Sequence, residues 1–94
     1  GYIEVDIRHD GKEKELLFNG KNEWIRTSWE IRYNELPSAV TSALEAEGYQ
    51  RDDDEVEVVQ TPDASWYEVE VRRQGKEYKV FIDESGKIIK VVED

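Results

Sequence analysis

The first 28 residues of this chain repeat, in diverged form, a segment close to its end. Aligned without gaps, positions 1–28 and 65–92 share seven identical residues, where average composition would give about two. The identities include the glycines Gly11 and Gly75 and the valines Val5 and Val69. This spacing predicts two related antiparallel meanders within one short chain, and it limits the fold more than any other feature.

Each copy has the pattern of a β-hairpin. Residues 2–9 and 67–73 alternate between apolar and polar side chains, which is typical of half-buried strands. The dipeptides Asp10-Gly11 and Gln74-Gly75 mark tight turns, because a primed turn requires positive φ and glycine adopts it without strain. We expect Val5 opposite Leu16 and Val69 opposite Val80. A third strand follows in each copy, at 23–33 and at 87–92, with Ile25, Ile89 and Val91 on the core face.

The segment between the copies predicts one helix and one strand. Leu36, Val40 and Leu44 recur at helical spacing, and Gly48 fits the left-handed position at a helix end, so we place the helix at 37–47. A charged loop at 51–54 and a strand at 55–61 follow.

The predicted fold class is therefore α+β, an antiparallel meander sheet of about seven strands in the order β-β-β-α-β-β-β-β, with one helix packed on one face. We assign residues 1–94 to a single domain of two related halves: a truncated first repeat at 1–33, and a second repeat at 34–94 comprising the helix and four strands.

One helix is too narrow to cover such a sheet. Seven strands span roughly 30 Å, whereas a helix is about 10–12 Å across. By the repeat, the first meander should also follow a helix and a strand. We therefore expect either a longer natural protein or a homodimer in which a second copy covers the sheet.

The charge balance excludes several classes of partner. The chain has 13 Lys and Arg against 23 Asp and Glu, a net charge of −10, so its field repels nucleic acid and anionic membrane surfaces. With no cysteine it has no disulfide, thiolate nucleophile or zinc–thiolate site. No apolar run reaches the length of a membrane span, and no signal-peptide pattern is found in these residues.

The polar residues form no recognisable catalytic or metal site, and no motif predicts a cofactor. His9, the only histidine, lies at a hairpin end without a marked nucleophile, and we interpret it as a solvated turn residue. The acidic run 52–55 lacks the spacing and glycine of a calcium loop, and we interpret it as a solvated acidic loop. An enzyme would need a pocket containing a perturbed titratable pair.

The better functional candidate is apolar surface on the sheet face away from the helix. There we expect Leu17 opposite Trp24, and Phe81 opposite Ile88, with Tyr2 and Trp66 at equivalent positions of the two copies. A large apolar patch rimmed by charge is typical of a protein-binding site, for which Trp and Tyr are common anchors. The alternative is that these side chains fill the twist of the sheet or pack under a segment N-terminal to it.

The whole sequence resembles a known family. The segments YEVEV, GKEYKVFIDESGKIIKV and ELPSAVTSALEAEG, with their echoes YIEVDI and GKEKELLFNGKNEWIRTSWEI, are similar to the PepSY-like, β-lactamase-inhibitor-like proteins. The resemblance implies an α+β fold, a periplasmic or secreted location and a non-enzymatic, protein-binding role.

We therefore expect an exported binding or inhibitor-like module with an unidentified, basic protein partner. The alternatives are a structural, self-associating cell-envelope protein, a small-ligand-binding or sensor domain, and, least in keeping with the motifs, a hydrolase.

Overall fold

A computed structural model describes all residues, 1–94, as one antiparallel sheet with one helix. The sheet order is β1-β2-β3-β4-β5-β6-β7, so every strand pairs with its neighbours in sequence. The strands are β1 (Ile3–His9), β2 (Lys12–Phe18), β3 (Trp24–Arg32), β4 (Gln50–Gln60), β5 (Ser65–Arg73), β6 (Lys76–Ile82) and β7 (Ile88–Glu93), and helix α1 (Ser38–Ala46) follows β3 after a 3₁₀ turn at Tyr33–Glu35. The predicted α+β meander of seven strands and one helix is confirmed.

The two hairpins have the predicted register. Val5 lies opposite Leu16 in β1–β2, and Val69 lies opposite Val80 in β5–β6. Both turn residues of the first hairpin have positive φ, 54° at Asp10 and 76° at Gly11, as a type I′ turn requires. The second turn, at Gln74-Gly75, has nearly the same angles, 53° and 79°. The alternation and the turn chemistry together fix each register.

The third strand of each meander is displaced from the predicted pairing, by two residues at Leu17 and Phe81 and by one residue beyond the irregularity. Leu17 lies opposite Arg26, not Trp24, and Phe81 lies opposite Lys90, not Ile88. Irregularities interrupt both ladders, between Leu17 and Phe18 and between Phe81 and Ile82. The extra residues, left without an opposite partner, are Ile25 and Ile89. A β-bulge of this kind reverses which side chains face each side of the sheet beyond it.

The bulges correct the predicted core. Ile88, rather than Ile89, packs against the core cluster, and Ile89 is exposed. Val91 lies on the predicted face, opposite the buried Val80, but is itself exposed. Sequence alternation alone gave no sign of the extra residue, because Ile88 and Ile89 are chemically identical.

Strand β4 is longer than predicted. The charged segment expected to be a loop at 51–54 is the first part of the strand, which begins at Gln50. Two of its aspartates pair with arginines of the adjacent strands: Asp52 lies 3.0 Å from Arg72, and Asp54 lies 3.1 Å from Arg32. These pairs offset the low strand propensity of aspartate, although each is exposed and contributes little by itself.

The core lies between α1 and the second half of the sheet. Val40 and Leu44 of the helix are fully buried, as are Val69, Val80 and Ile82 of the strands beneath it. Gly48 ends the helix with φ 77°, and Tyr49 packs back into the same cluster. Under α1 the apolar face is covered, whereas all seven residues of β1 are exposed.

The helix is short for this sheet. Nine residues of α-helix extend about 13 Å, whereas the molecule measures 44 Å along its longest axis. Below, the side of the sheet that packs against α1 is called the helix side, and the other is called the open face.

Candidate functional site

The six residues predicted to form the binding surface do not lie on one face. Leu17, Trp66 and Phe81 lie on the open face and are half-buried. The bulges place Trp24 and Ile88 on the helix side instead, where they lie opposite Phe18 and Ile82. Tyr2 precedes β1 and is 72% exposed. The predicted placement of all six side chains on one face is therefore wrong, and their role in binding a protein stays a prediction.

The apolar part of the open face is centred on a residue that the prediction omitted. Val59 is only 1% exposed although no helix or strand covers this face. Its neighbours across the sheet are Ser28 on one side and Trp66 on the other. The indole N–H of Trp66 donates to the Glu68 carboxylate at 3.0 Å. The sequence feature that could have predicted Val59 on the open face is the adjacent pair Val58-Val59, since two consecutive residues of a strand face opposite sides of the sheet.

Most of the open face is acidic. Glu30, Glu57 and Glu68 lie directly opposite one another across β3, β4 and β5, and Asp6 lies opposite Glu15 at the other end of the sheet. Like charges directly opposite in a sheet are destabilising. Alternation in the sequence had already placed acids on every second position of these strands, but only the register brings them side by side.

The acids line a shallow groove of about 850 Å³. It extends from β1 to β4, and its lining includes carboxylates of the open face together with helix-side residues such as Lys14 and Trp29. Its lining combines carboxylates with three basic side chains and only two hydrophobic residues: Asp6, Gly11, Lys12, Glu13, Lys14, Glu15, Ser28, Trp29, Glu30, Ile31, Arg32, Glu35, Asp53, Asp54, Glu55 and Glu57. A smaller depression continues it past Glu57 towards Glu68, Glu70 and Lys79.

Crowding of the carboxyl groups perturbs their titration. A hydrogen bond with the Glu55 carboxyl is the largest cause of the raised pKa of Glu30, followed by desolvation and the charges of Glu55 and Glu57. The pKa of Glu4 is raised first by a hydrogen bond and then by the charge of Glu15. A carboxyl pKa raised by neighbouring carboxyl groups indicates a strongly negative local potential.

One acidic cluster has the spacing of a cation site. Single carboxylate oxygens of Glu4, Asp6 and Glu15 lie within 4.8 Å of one another. Glu4 and Asp6 are exposed, and like-charge crowding on this face accounts for the cluster. In the run 52–55, considered for calcium, Asp52 and Asp54 form ion pairs with Arg72 and Arg32.

The lone histidine lies where it was predicted, at the end of β1. The His9 side chain is 61% exposed, and its Nδ1 atom lies 3.4 Å from the Lys14 ammonium and 3.5 Å from the Asp10 carboxylate. No serine or threonine hydroxyl forms a hydrogen bond with it. The geometry of a histidine-activated nucleophile is therefore not formed here.

Comparison with known proteins identifies the family. The family described as "Putative beta-lactamase-inhibitor-like, PepSY-like" matches residues 1–90. The chain belongs to this PepSY-like family.

Several solved structures share the fold of nearly the whole chain. A BLIP-like protein from Bacteroides fragilis is 28% identical, with a TM-score of 0.80 over 98% of this chain and 67% of its own. A DUF2874 family protein from Bacteroides uniformis is 25% identical, with a TM-score of 0.81 over 98% of this chain and 70% of its own. A protein from Bacteroides eggerthii, described among "putative periplasmic proteins", is 21% identical, with a TM-score of 0.76 over 98% of this chain and 70% of its own, and shows the fold alone.

No curated protein sequence matches the chain significantly. The single helix of this PepSY-like chain is too short and too polar to cross a membrane.

Glu70 at the edge of the acidic region predicts a pH-dependent stability. Desolvation, followed by a hydrogen bond and repulsion from Asp94, raises the pKa of Glu70 to about 7, although Lys79 lies 3.6 Å away and lowers it. Because the folded state holds this proton more tightly, the stabilisation is complete below the unfolded pKa of about 4.5 and is lost as pH rises through about 7. We expect urea denaturation to show a smaller loss of stability between these pH values for Glu70→Gln than for the wild type.

Glu84→Gln, at an exposed turn, is the control for this variant. An unchanged pH slope in Glu70→Gln would contradict the assignment, and a flattened slope in Glu84→Gln would indicate a general effect of net charge.

Proposed function

We propose that this chain is a non-enzymatic, inhibitor-like binding module whose open face holds a basic segment of a partner protein. The observation that carries the proposal is the combination, on one uncovered face, of the row Glu30, Glu57 and Glu68 with the half-buried apolar side chains Trp66 and Phe81. The family name supports an inhibitor-like role. The relative described as periplasmic supports a location outside the cytoplasm.

Repulsion within the acidic row destabilises the free protein, and this repulsion favours a cationic partner. Each directly opposed pair of like charges destabilises a sheet by a few tenths of a kcal/mol up to about 1 kcal/mol. Glu57 has such a neighbour on both sides, Glu30 and Glu68. A bound guanidinium or ammonium group would remove this repulsion, so part of the binding energy would come from relief of strain in the free protein. Charge complementarity would also accelerate association at low salt.

The apolar side chains beside the row favour a basic segment with apolar stems. Lys and Arg bury their methylene chains against apolar surface while the charged head stays near carboxylates. The chain itself already contains a cation–π contact on this face: the ammonium of Lys90 lies 5.2 Å from the centre of the Phe81 ring. Trp66 and Phe81 can offer the same kind of contact to a partner.

The arrangement favours binding over catalysis. The pKa of Glu30 is raised, first by a hydrogen bond with the neighbouring Glu55 carboxyl, and an enzyme would need a perturbed titratable pair. The two residues line an open groove with few hydrophobic residues, where water screens charge, whereas expelling water from a site strengthens the electrostatic interactions that assist catalysis. A protein partner that covers the face would supply that enclosure only in the complex.

The test uses a defined basic probe, a twelve-residue peptide of alternating arginine and leucine, in isothermal titration calorimetry. We expect binding that weakens with added salt, and a loss of about tenfold or more in affinity in the triple variant Glu30→Gln, Glu57→Gln, Glu68→Gln. Glutamine keeps the acceptor for the Trp66 indole N–H, so the fold is preserved.

The matched control removes three acids elsewhere, with Glu45→Gln, Glu47→Gln and Glu84→Gln. It changes the net charge equally and leaves the open face intact. If the two triple variants lose the same affinity, the peptide senses net charge alone and the proposed site is wrong. Absence of binding to the wild type at low salt would equally reject it.

A further inference from the structure

A lysine of the chain itself lies at one end of the acidic row. Lys79 of β6 stands directly opposite Glu70, and it is the diagonal neighbour of Glu68, which stands opposite Phe81. The Lys79 ammonium lies 3.6 Å from a carboxylate oxygen of Glu70 and 3.9 Å from one of Glu68. One cation is therefore held between two carboxylates, of which Glu68 belongs to the row and Glu70 lies beside it.

A cation from a partner must compete with Lys79 for Glu68. The Oε2 atom of Glu68 already accepts the indole N–H of Trp66 at 3.0 Å, and its Oε1 atom is the one that faces the Lys79 ammonium. The Glu68 side chain is only 17% exposed, so few other directions of approach are open. The strength with which Lys79 holds Glu68 therefore limits what this end of the row can offer a basic segment.

The first half of the sheet has a carboxylate where the second half has this lysine. Sixty-four positions earlier in the chain, Glu15 takes the place of Lys79, and it stands opposite Asp6 as Lys79 stands opposite Glu70. Carboxylate oxygens of Glu15, Asp6 and Glu4 lie within 4.8 Å of one another there. The same register thus accommodates either charge at this position, so the strand pairing alone does not require a lysine.

The charge of Glu70 decides how the Lys79 ammonium is shared. The charged groups around Glu70 are Asp53 and Glu55 of β4, Glu68 and Arg72 of β5, Lys79 of β6, and Asp94 beyond β7. Arg72 is paired with Asp52 at 3.0 Å and Glu77 at 3.1 Å. Desolvation, followed by a hydrogen bond with Asp94, raises the pKa of Glu70 to about 7. The carboxyl group therefore changes its charge near neutral pH.

We propose that Glu70 and Lys79 regulate the open face: ionised Glu70 holds Lys79 and leaves Glu68 available to a partner's cation, whereas protonated Glu70 releases Lys79 to Glu68 and weakens binding. This inference rests on the proposed function, because it concerns the affinity of the same face. Two carboxylates and one ammonium leave one net negative charge at this end of the row, and protonation of Glu70 removes it. The affinity for a basic segment then rises with pH as Glu70 loses its proton.

The test measures binding of the arginine–leucine peptide, with both ends blocked, by isothermal titration calorimetry at pH 6 and pH 8 in low salt. We expect the wild type to bind about threefold more tightly at pH 8. Glu70→Gln, which is neutral at both pH values, should bind at pH 8 as weakly as the wild type does at pH 6. Wild-type affinity that is equal at the two pH values would overturn the regulation and leave the proposed function intact.

The double variant Glu70→Gln, Lys79→Gln separates the two residues. It leaves Glu68 without a competing ammonium and restores one net negative charge, so it should bind at both pH values about as tightly as the wild type at pH 8. A double variant as weak as Glu70→Gln alone would show that Lys79 does not compete for Glu68. Histidine is the usual side chain that changes charge between these pH values, so His9→Gln is the control, and loss of the pH dependence in it would contradict the role of Glu70.

Carboxyl ¹³C chemical shifts in the free protein test the same regulation without the peptide. We expect the side-chain carboxyl carbon of Glu68 to shift with the midpoint of Glu70, near pH 7, and this shift to be strongly reduced in Lys79→Gln. A Glu68 signal that does not respond to Glu70 overturns the proposal whether or not the peptide binds. A wild type that shows the shift but does not bind the peptide at pH 8 rejects the proposed function, and with it the regulation of binding.

Discussion

Replacing Leu44 by alanine is expected to lower the free energy of unfolding by about 3–4 kcal/mol. Leu44 is fully buried at the centre of the contact between α1 and the sheet, in one cluster with Val40, Val69 and Ile82. The substitution removes apolar contacts and leaves a cavity, because helix and strands can collapse only partly around it. Urea denaturation followed by far-UV circular dichroism measures the loss.

This loss is large relative to the expected free energy of unfolding of the whole domain. At about 0.05–0.15 kcal/mol per residue, a domain of 94 residues has a stability of about 5–14 kcal/mol. Twelve residues are buried, so few other side chains can compensate. Leu17→Ala, on the half-buried open face, is the control with the same chemistry and should cost about 1 kcal/mol. If both variants lose equal stability, α1 does not cover the principal core.

Replacing Gly86 by alanine is expected to cost about 3 kcal/mol, although the residue lies in a turn. Its φ of 90° is a conformation that side chains disfavour. In addition, a Cβ would lie 2.5 Å from the Ala39 carbonyl oxygen and 3.4 Å from the Ala43 side chain. The Ala39 oxygen belongs to the helix backbone, so α1 itself would have to move away from the core.

Gly75→Ala separates the two contributions to that cost. Gly75 has a φ of 79°, but a Cβ added there would meet no atom within 4 Å, so its variant measures backbone strain alone, about 1 kcal/mol. The difference between the two variants is the steric contribution of the helix. Equal losses at Gly75 and Gly86 would mean that α1 does not approach the Gly86 turn closely.

Local sequence determined most of the fold because the residues of each hairpin suffice to define its strands and its turn. Alternation in β1 and β5, and the dipeptides Asp10-Gly11 and Gln74-Gly75, fix strands and register without reference to the rest of the chain. The apolar stripe and Gly48 likewise define α1 to within a residue at each end. These are short-range effects, and composition together with charge limited the partners in the same way.

The candidate site was less predictable because it depends on long-range pairing. Bulges at Ile25 and Ile89 exchange the faces of Trp24 and Ile88, and a bulge depends on how neighbouring strands twist rather than on the identity of the extra residue. Val59 was overlooked because its burial on an uncovered face depends on Trp66, which lies beside it on the next strand. The residues next to Val59 in the sequence do not show this pairing.

The sequence by itself determined the strands, the turns, the helix and the acidic alternation, since each follows from residues within a few positions of one another. Only the tertiary structure decided that Glu30, Glu57 and Glu68 from three strands stand in one row, and that α1 covers one half of the sheet. Both depend on contacts between residues far apart in the chain, whose geometry no local pattern encodes.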